Sequence, residues 1–177
     1  ASPAASGDLA PAAARRARVR RGAARQPSAE TAPGGDVGAG EAIVDRVIER
    51  YEEVTLAGGE VPDSKLTFMV IGGGATGVEV ASELHSLVRD LLVPDYPNIN
   101  PHRVKIILVD ANKEILKELD PALRRVARKK LADLQIEVIN NAKAKKVTAD
   151  RVILGDGREI MVENVIWTAG SRASVKL

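Results

Sequence analysis

The spacing of apolar residues changes abruptly along this chain, and each change predicts an element. In EAIVDRVIERYEEVTLA, residues 41–57, Ile43, Val44, Val47, Ile48, Tyr51 and Val54 share one helical face, with acids and arginines opposite. That period predicts a helix. Gly58-Gly59 ends it, and EVPDSK forms a loop. Residues 66–71 are then a nearly continuous apolar run of strand length, entering three consecutive glycines. From residue 76 to about 92 the helical period returns, with Val78, Ala81, Leu84, Leu87, Val88 and Leu91 facing inward.

A proline-punctuated loop, VPDYPNINPH, leads to a second apolar strand over 104–109. A further helix is expected over 121–134, with Asp120 as its cap and proline in its first position. Leu123, Val126, Ala127, Leu131 and Leu134 share that helix with RRVARKK, whose cations form a solvated face. IEVIN, 136–140, is a third short strand. This β-α-β-α-β order with apolar strands predicts a parallel sheet covered on both faces.

Beyond residue 140 the pattern becomes short and strand-like, with runs at 144–148, 151–154 and 158–162. Gly155-Asp156-Gly157 suits a hairpin turn between the last two. A final apolar strand over 164–168 returns to the parallel core. The expected fold class is α/β: a Rossmann-like three-layer domain with a parallel sheet core plus an antiparallel β-meander.

Residues 1–40 have a different character, since 32 of the 40 are Ala, Arg, Pro, Gly or Ser. Such a segment buries too little apolar surface to offset its ordering entropy, so disorder is expected. Its AAARRARVRR run is Arg-rich and acid-poor like a targeting peptide, though short of hydroxyls. A misread frame of GC-rich DNA gives the same composition. The expected organisation is a low-complexity tail (1–40), a leading helix and linker (41–65) and a nucleotide-binding domain (66–177).

Charge changes the picture only in that tail. The formal net charge is +2, but residues 1–40 carry 6 Arg against 3 acids, leaving 20 basic and 21 acidic residues elsewhere. The expected folded part therefore lacks the basic excess that nucleic-acid binding requires. With no cysteine and two histidines, His85 and His102, neither a thiol pair nor a metal site is expected. Both histidines read as surface or helix-side residues, and no residue is assigned a catalytic role. No apolar run reaches the length of a membrane span, so the chain reads as soluble.

The chemistry concentrates in GGGATG. Gly72, Gly74 and Gly77 have the G-x-G-x-x-G spacing, between a predicted strand and a predicted helix, the context this motif requires. The first glycine allows a tight turn, the second a close approach of a diphosphate, and the third close helix–strand packing. Gly73, Ala75 and Thr76 complete the loop, and the helix N-terminus attracts the anion. Asp110, directly after the second strand, is placed to accept the ribose hydroxyls of an adenosine, favouring NADH over NADPH. It lies 38 residues after Gly72, beyond the usual spacing of about 20, with the excess in the helix end and the proline loop. Glu79 sits one turn into the helix, near where a nicotinamide would lie; a carboxylate partner for the helix dipole reads equally well.

The segments GGGATGVEVASEL, KIILVDANKEIL, LGDGREI and VIWTAG resemble the NAD(H)-binding domain of flavoproteins with two dinucleotide domains. They are most similar to type II NADH dehydrogenases, the single-chain NADH:quinone oxidoreductases. The resemblance covers about residues 41–175. It implies that residues 72–77 hold the NADH diphosphate and Asp110 the ribose, with Glu79 near the nicotinamide and quinone sites. It also implies that Thr168, Ala169 and Gly170 mark the return to a flavin domain. The implied activity is hydride transfer from NADH to FAD, then reduction of a quinone or other acceptor. The intact parent would be peripheral to an energy-transducing membrane, on its cytoplasmic or organellar matrix side, and able to form a homodimer. Nothing in residues 1–40 matches the family's separate FAD turn, so FAD is expected in the parent and not in this chain alone. A free-standing NAD(H)-sensing module and a fragment of another pyridine nucleotide flavoprotein reductase are the alternatives.

Overall fold

The structure is a computed structural model that describes residues 11–23, 37–58, 60–170 and 174–176. Elements are counted among these described residues. Helices α1 (Ala12–Ala23) and α2 (Val37–Leu56) precede strand β1 (Thr67–Ile71) and helix α3 (Ala75–Ser86). Then come β2 (Lys105–Val109), α4 (Pro121–Asp133) and β3 (Glu137–Ile139). Strands β4 (Ala144–Val147), β5 (Arg151–Leu154) and β6 (Glu159–Met161) follow, then β7 (Asn164–Trp167) and β8 (Ser174–Lys176).

The main sheet has the order β3-β2-β1-β7-β8. Its first four strands are parallel, while β8 runs antiparallel to β7. Strands β4-β5-β6 form a separate antiparallel sheet. All five residues of β1 are buried, as a central strand covered on both faces demands. On one face Phe68, Val70, Ile106, Leu108 and Ile166 pack with Val47, Ile48, Tyr51 and Val54 of α2 and Ala81 and Leu84 of α3. On the other, Met69, Ile71, Ile107, Val109 and Val165 pack against Val152 and Leu154 of the meander. The expected three layers are thus present, and α2 belongs to the same core as the sheet.

Three expectations need correction. Part of the supposedly disordered tail is helical: α1 packs against α2 and the segment after α3. Alanine and arginine are strong helix formers. Tertiary partners add to that preference: Arg16 pairs with Glu52 and Arg18 with Asp95, while Arg15 lies 5.1 Å over the Tyr96 ring. Tyr96 in turn meets Tyr51 edge to face at 5.5 Å. Residues 1–10 and 24–36 lie outside the described residues.

The helix expected over 76–92 stops being α at Ser86 and continues as a π-helix, Leu87–Leu92. The wider turn brings Leu92 fully inside; the Leu91 side chain lies outside the described residues, as does Gly59.

The third correction concerns α4. Asp120 caps it by accepting from the Ala122 amide, as expected, and Leu131 is buried. Leu123 and Val126, however, are 56% and 66% exposed. This helix meets the sheet at edge strand β3, so its first turns reach past the core.

Candidate functional site

Strand β1 leaves the core at Gly72, whose φ of +121° suits glycine and few other residues. The Gly72 amide donates to the Val109 carbonyl at 2.8 Å, which ties the turn to the end of β2. A Cβ on Gly72 would come within 2.8 Å of the Ala169 nitrogen and the Thr168 hydroxyl. At Gly77 a Cβ would lie 1.7 Å from the Gly72 carbonyl oxygen, so the first turn of α3 rests directly on the turn out of β1. These are the turn and packing roles that the spacing predicted for the first and third glycines.

Gly74 is different. It is exposed and a Cβ there would meet nothing within 4 Å. It is the N-cap of α3, no side chain caps the helix, and no acid stands in its first turn. Ala75 and Thr76 are exposed beside it. The α3 N-terminus therefore presents its amides and the positive end of its dipole at an open surface, the physical requirement for holding a phosphate.

Asp110 follows β2 and is 7% exposed. Its two carboxylate oxygens accept from backbone amides, Oδ2 from Gly73 at 2.5 Å and Oδ1 from Asn112 at 2.6 Å. A carboxylate offers about four acceptor positions, so two stay available for hydroxyls. Gly73 has no room for a side chain, because a Cβ would lie 2.9 Å from Asp110 Oδ2 and 2.7 Å from Ile115. The Gly73 carbonyl also accepts from the Leu116 amide at 2.7 Å, with Leu116 at a φ of +52°. Gly73, Ile115 and Leu116 thus fix the acid against the glycine turn. Their part depends on tertiary contact, and the only sequence signal was KEIL within the strand segment used for the resemblance.

Thr168 and Ala169 lie on the other side of the turn. Their amides donate to the Ile71 carbonyl at 2.9 and 3.0 Å, and the Thr168 hydroxyl lies 3.1 Å from the same oxygen and 3.2 Å from that of Gly72. The Trp167 indole N–H donates to the Ala169 carbonyl and braces the segment, which ends in Gly170 at a φ of +106°. Residues 72–77, Asp110 and 168–170 therefore converge at the C-terminal ends of β1, β2 and β7, where α/β sheets bind ligands. Glu79 is exposed on α3 and makes no ion pair among the described residues. It adds to burial in raising the pKa of Glu83 one turn on. No cluster of three or more metal-ligating side chains occurs among the described residues.

Comparisons with known proteins extend this picture. The chain is 32% identical over 114 residues to a type II NADH:quinone oxidoreductase of Haemophilus influenzae, covering 64% of this chain and 26% of that protein. It is 34% identical over 116 residues to the type II NADH:quinone oxidoreductase NdhA of Mycobacterium tuberculosis, covering 63% and 25%. In fold it superposes on NDH2 of Plasmodium falciparum in complex with NADH, with a TM-score of 0.69 at 19% identity, over 76% of this chain and 29% of that one. The chain thus spans less than a third of the length of the curated relatives it matches. Residues 22–177 match the pattern of the pyridine nucleotide-disulphide oxidoreductases, and with the glycine turn, the strand-end acid and the sheet order that surrounds them, this chain belongs to that family.

Proposed function

We propose that this chain is the NADH-binding part of a flavin-dependent NADH:quinone oxidoreductase. The observation that carries the reading is the open N-terminus of α3: exposed Gly74, Ala75 and Thr76, with room for a ligand and no competing cap. In this reading the amides of residues 72–77 hold the diphosphate. Asp110, kept in place by Gly73 and Asn112, accepts the ribose hydroxyls and repels a 2′-phosphate. Thr168, Ala169 and Gly170 border the nicotinamide side, and Glu79 faces the same ligand from α3. NADH supplies a hydride when bound beside a flavin, while the residues of this chain bind, orient and discriminate. No cysteine is present in the chain, so its residues offer no thiol chemistry.

FAD, a quinone acceptor, peripheral membrane attachment on the cytoplasmic or organellar matrix side, and homodimer formation belong in this reading to the whole protein. Residues 66–177 are the NAD(H)-binding domain, 41–65 its leading helix and linker, and 168–177 the return toward a flavin domain. Among the described residues no helix is long and apolar enough to cross a membrane.

Titration with NADH and NADPH, followed by nicotinamide fluorescence, tests the assignment. Saturable binding of NADH, tighter than that of NADPH, is expected. Asp110→Arg should abolish or invert that preference. Absence of saturable NADH binding, or an unchanged preference in the variant, would sink the reading.

A further inference from the structure

The two histidines of the chain, 17 residues apart in sequence (102 − 85), line one cavity of about 230 Å³. It opens near the N-terminal ends of β2 and β3, where Lys105 and Glu137 begin those strands. The candidate NADH site is at the opposite end of the sheet, about 16 Å away along a five-residue strand. Buried Val88 and Ile106 contribute apolar wall, continued by Val104 and Leu134. The polar lining sets His85, Arg89, His102 and Lys105 against one carboxylate, Glu137. Lys105 also pairs with Asp63 at 3.8 Å, so the asymmetry in charge centres on Arg89 and the imidazoles.

Arg89 is the centre of that asymmetry. Its guanidinium donates to the Gln135 side-chain carbonyl at 3.1 Å and pairs with no carboxylate among the described residues. Gln135 pays a conformational cost to be there. It occupies the left-handed position that ends α4, at a φ of +58°, where glycine is usual. The Gln135 amide donates to Ala132 and the Ile136 amide to Leu131, the bonds of a Schellman turn. A glutamine at that position gives Arg89 a neutral partner and leaves its charge uncompensated. Burial and the charges of Arg89 and Lys130 also hold the His85 imidazole below its ordinary pKa, against the opposing pull of Asp90. An anion in the cavity would reverse that tendency.

We propose that this cavity is a second ligand site, distinct from the glycine turn, which takes a small organic phosphate. The phosphate would meet Arg89, the residue type suited to bidentate phosphate contact, together with His85, His102 and Lys105. The organic body would lie on Val88, Val104, Ile106 and Leu134. The volume falls below the roughly 300–1,000 Å³ of sites for drug-sized ligands, which limits the body to about one ring.

The presence of only two histidines makes the test direct. The Cε1–H signals of the whole chain would be followed by NMR during titration with phenyl phosphate, in parallel with inorganic phosphate and benzoate. Saturable shifts of both signals, an upward move of the His85 titration midpoint, and an affinity for phenyl phosphate at least tenfold above that for either control are expected. Arg89→Gln should weaken binding at least tenfold. Gln135→Gly should leave the denaturation midpoint unchanged or higher, because it relieves the left-handed backbone, yet still weaken binding. Absence of saturable shifts, or equal affinity in Arg89→Gln, would overturn the site. Equal affinity for inorganic phosphate would overturn the organic body, and equal affinity for benzoate the phosphate preference.

Discussion

The two ends of the parallel sheet satisfy their polar groups in opposite ways. At the C-terminal end the bonds run mostly through backbone: Gly72 to Val109, Leu116 to Gly73, and Thr168 and Ala169 to Ile71, with Asp110 accepting from two amides. At the N-terminal end, side chains do this work. Buried Arg50 donates to Asn164 at 3.0 Å and to Glu53, while Asn164 donates to the Lys65 and Thr67 carbonyls. Ser64 donates to Glu163, whose carboxylate also faces Arg50 and Lys65. An end built from backbone is damaged by adding atoms, and one built from side chains is damaged by removing them. The first also leaves helix amides open to a ligand, whereas the Arg50–Asn164 cluster of the second consumes its donors internally.

Gly77→Ala should break the first end most severely. The added methyl would fall 1.7 Å from the Gly72 carbonyl oxygen, and overpacking of that kind costs about 3 kcal/mol or more. A lower denaturant midpoint together with loss of NADH binding is expected. Arg50→Ala should act at the opposite end, costing about 2–3 kcal/mol by leaving Asn164 and two carboxylates without their buried cation. NADH affinity should be unchanged in that variant; a parallel loss of affinity would show that the two ends are coupled.

Smaller effects separate the middle glycines. Gly73→Ala pushes on Asp110 and Ile115, so a loss of about 1–2 kcal/mol is expected together with a narrower preference for NADH over NADPH. Gly74→Ala has open space around it. Loss of a glycine cap and gain in backbone entropy oppose each other, so its stability should stay within about 1 kcal/mol. NADH affinity should nevertheless fall about tenfold, because the methyl occupies the approach to the helix N-terminus. An unchanged affinity would mean that this opening is not used.

The smallest effect is one of pH. His85 is held below its ordinary value by burial, Arg89 and Lys130, with Asp90 opposing and His102, Lys105 and Glu137 lining the same cavity. As pH falls below about 6.5 the unfolded chain takes up a proton that folded His85 resists, so stability falls until the folded midpoint is passed. Wild type should therefore lose more stability on acidification than His85→Gln, as measured by denaturant midpoints across that range.

Much of the fold was legible because its signals are local. Apolar runs marked β1 and β2, the Asp120-Pro121 pair marked the start of α4, and turn residues separated the meander strands. What escaped depends on neighbours distant in sequence. Helix α1 is supported by Glu52, Asp95 and Tyr96, which no composition argument over residues 1–40 includes. The apolar period of α4 was real, but edge packing gives Leu131 a partner and leaves Leu123 and Val126 exposed. At the candidate site the glycine spacing and the strand-end acid could be read directly. The grip of Gly73 and Leu116 on that acid could not, since it joins residues 37 and 43 apart (110 − 73 and 116 − 73). The two histidines are helix-side and surface residues as expected, His85 on α3 and His102 exposed, but that they share a cavity could not be read, for the same reason.

The bond from the Gly73 amide to Asp110 has a consequence for engineering. On the proposed reading, the residue that selects the coenzyme also supports the loop that grips its diphosphate. Exchanging Asp110 for a cation to recruit NADPH would discard an acceptor that the loop relies on, so selectivity and grip would change together. A productive redesign would supply the Gly73 amide with a new acceptor from a neighbouring side chain before altering the acid, and would track both coenzymes at each step.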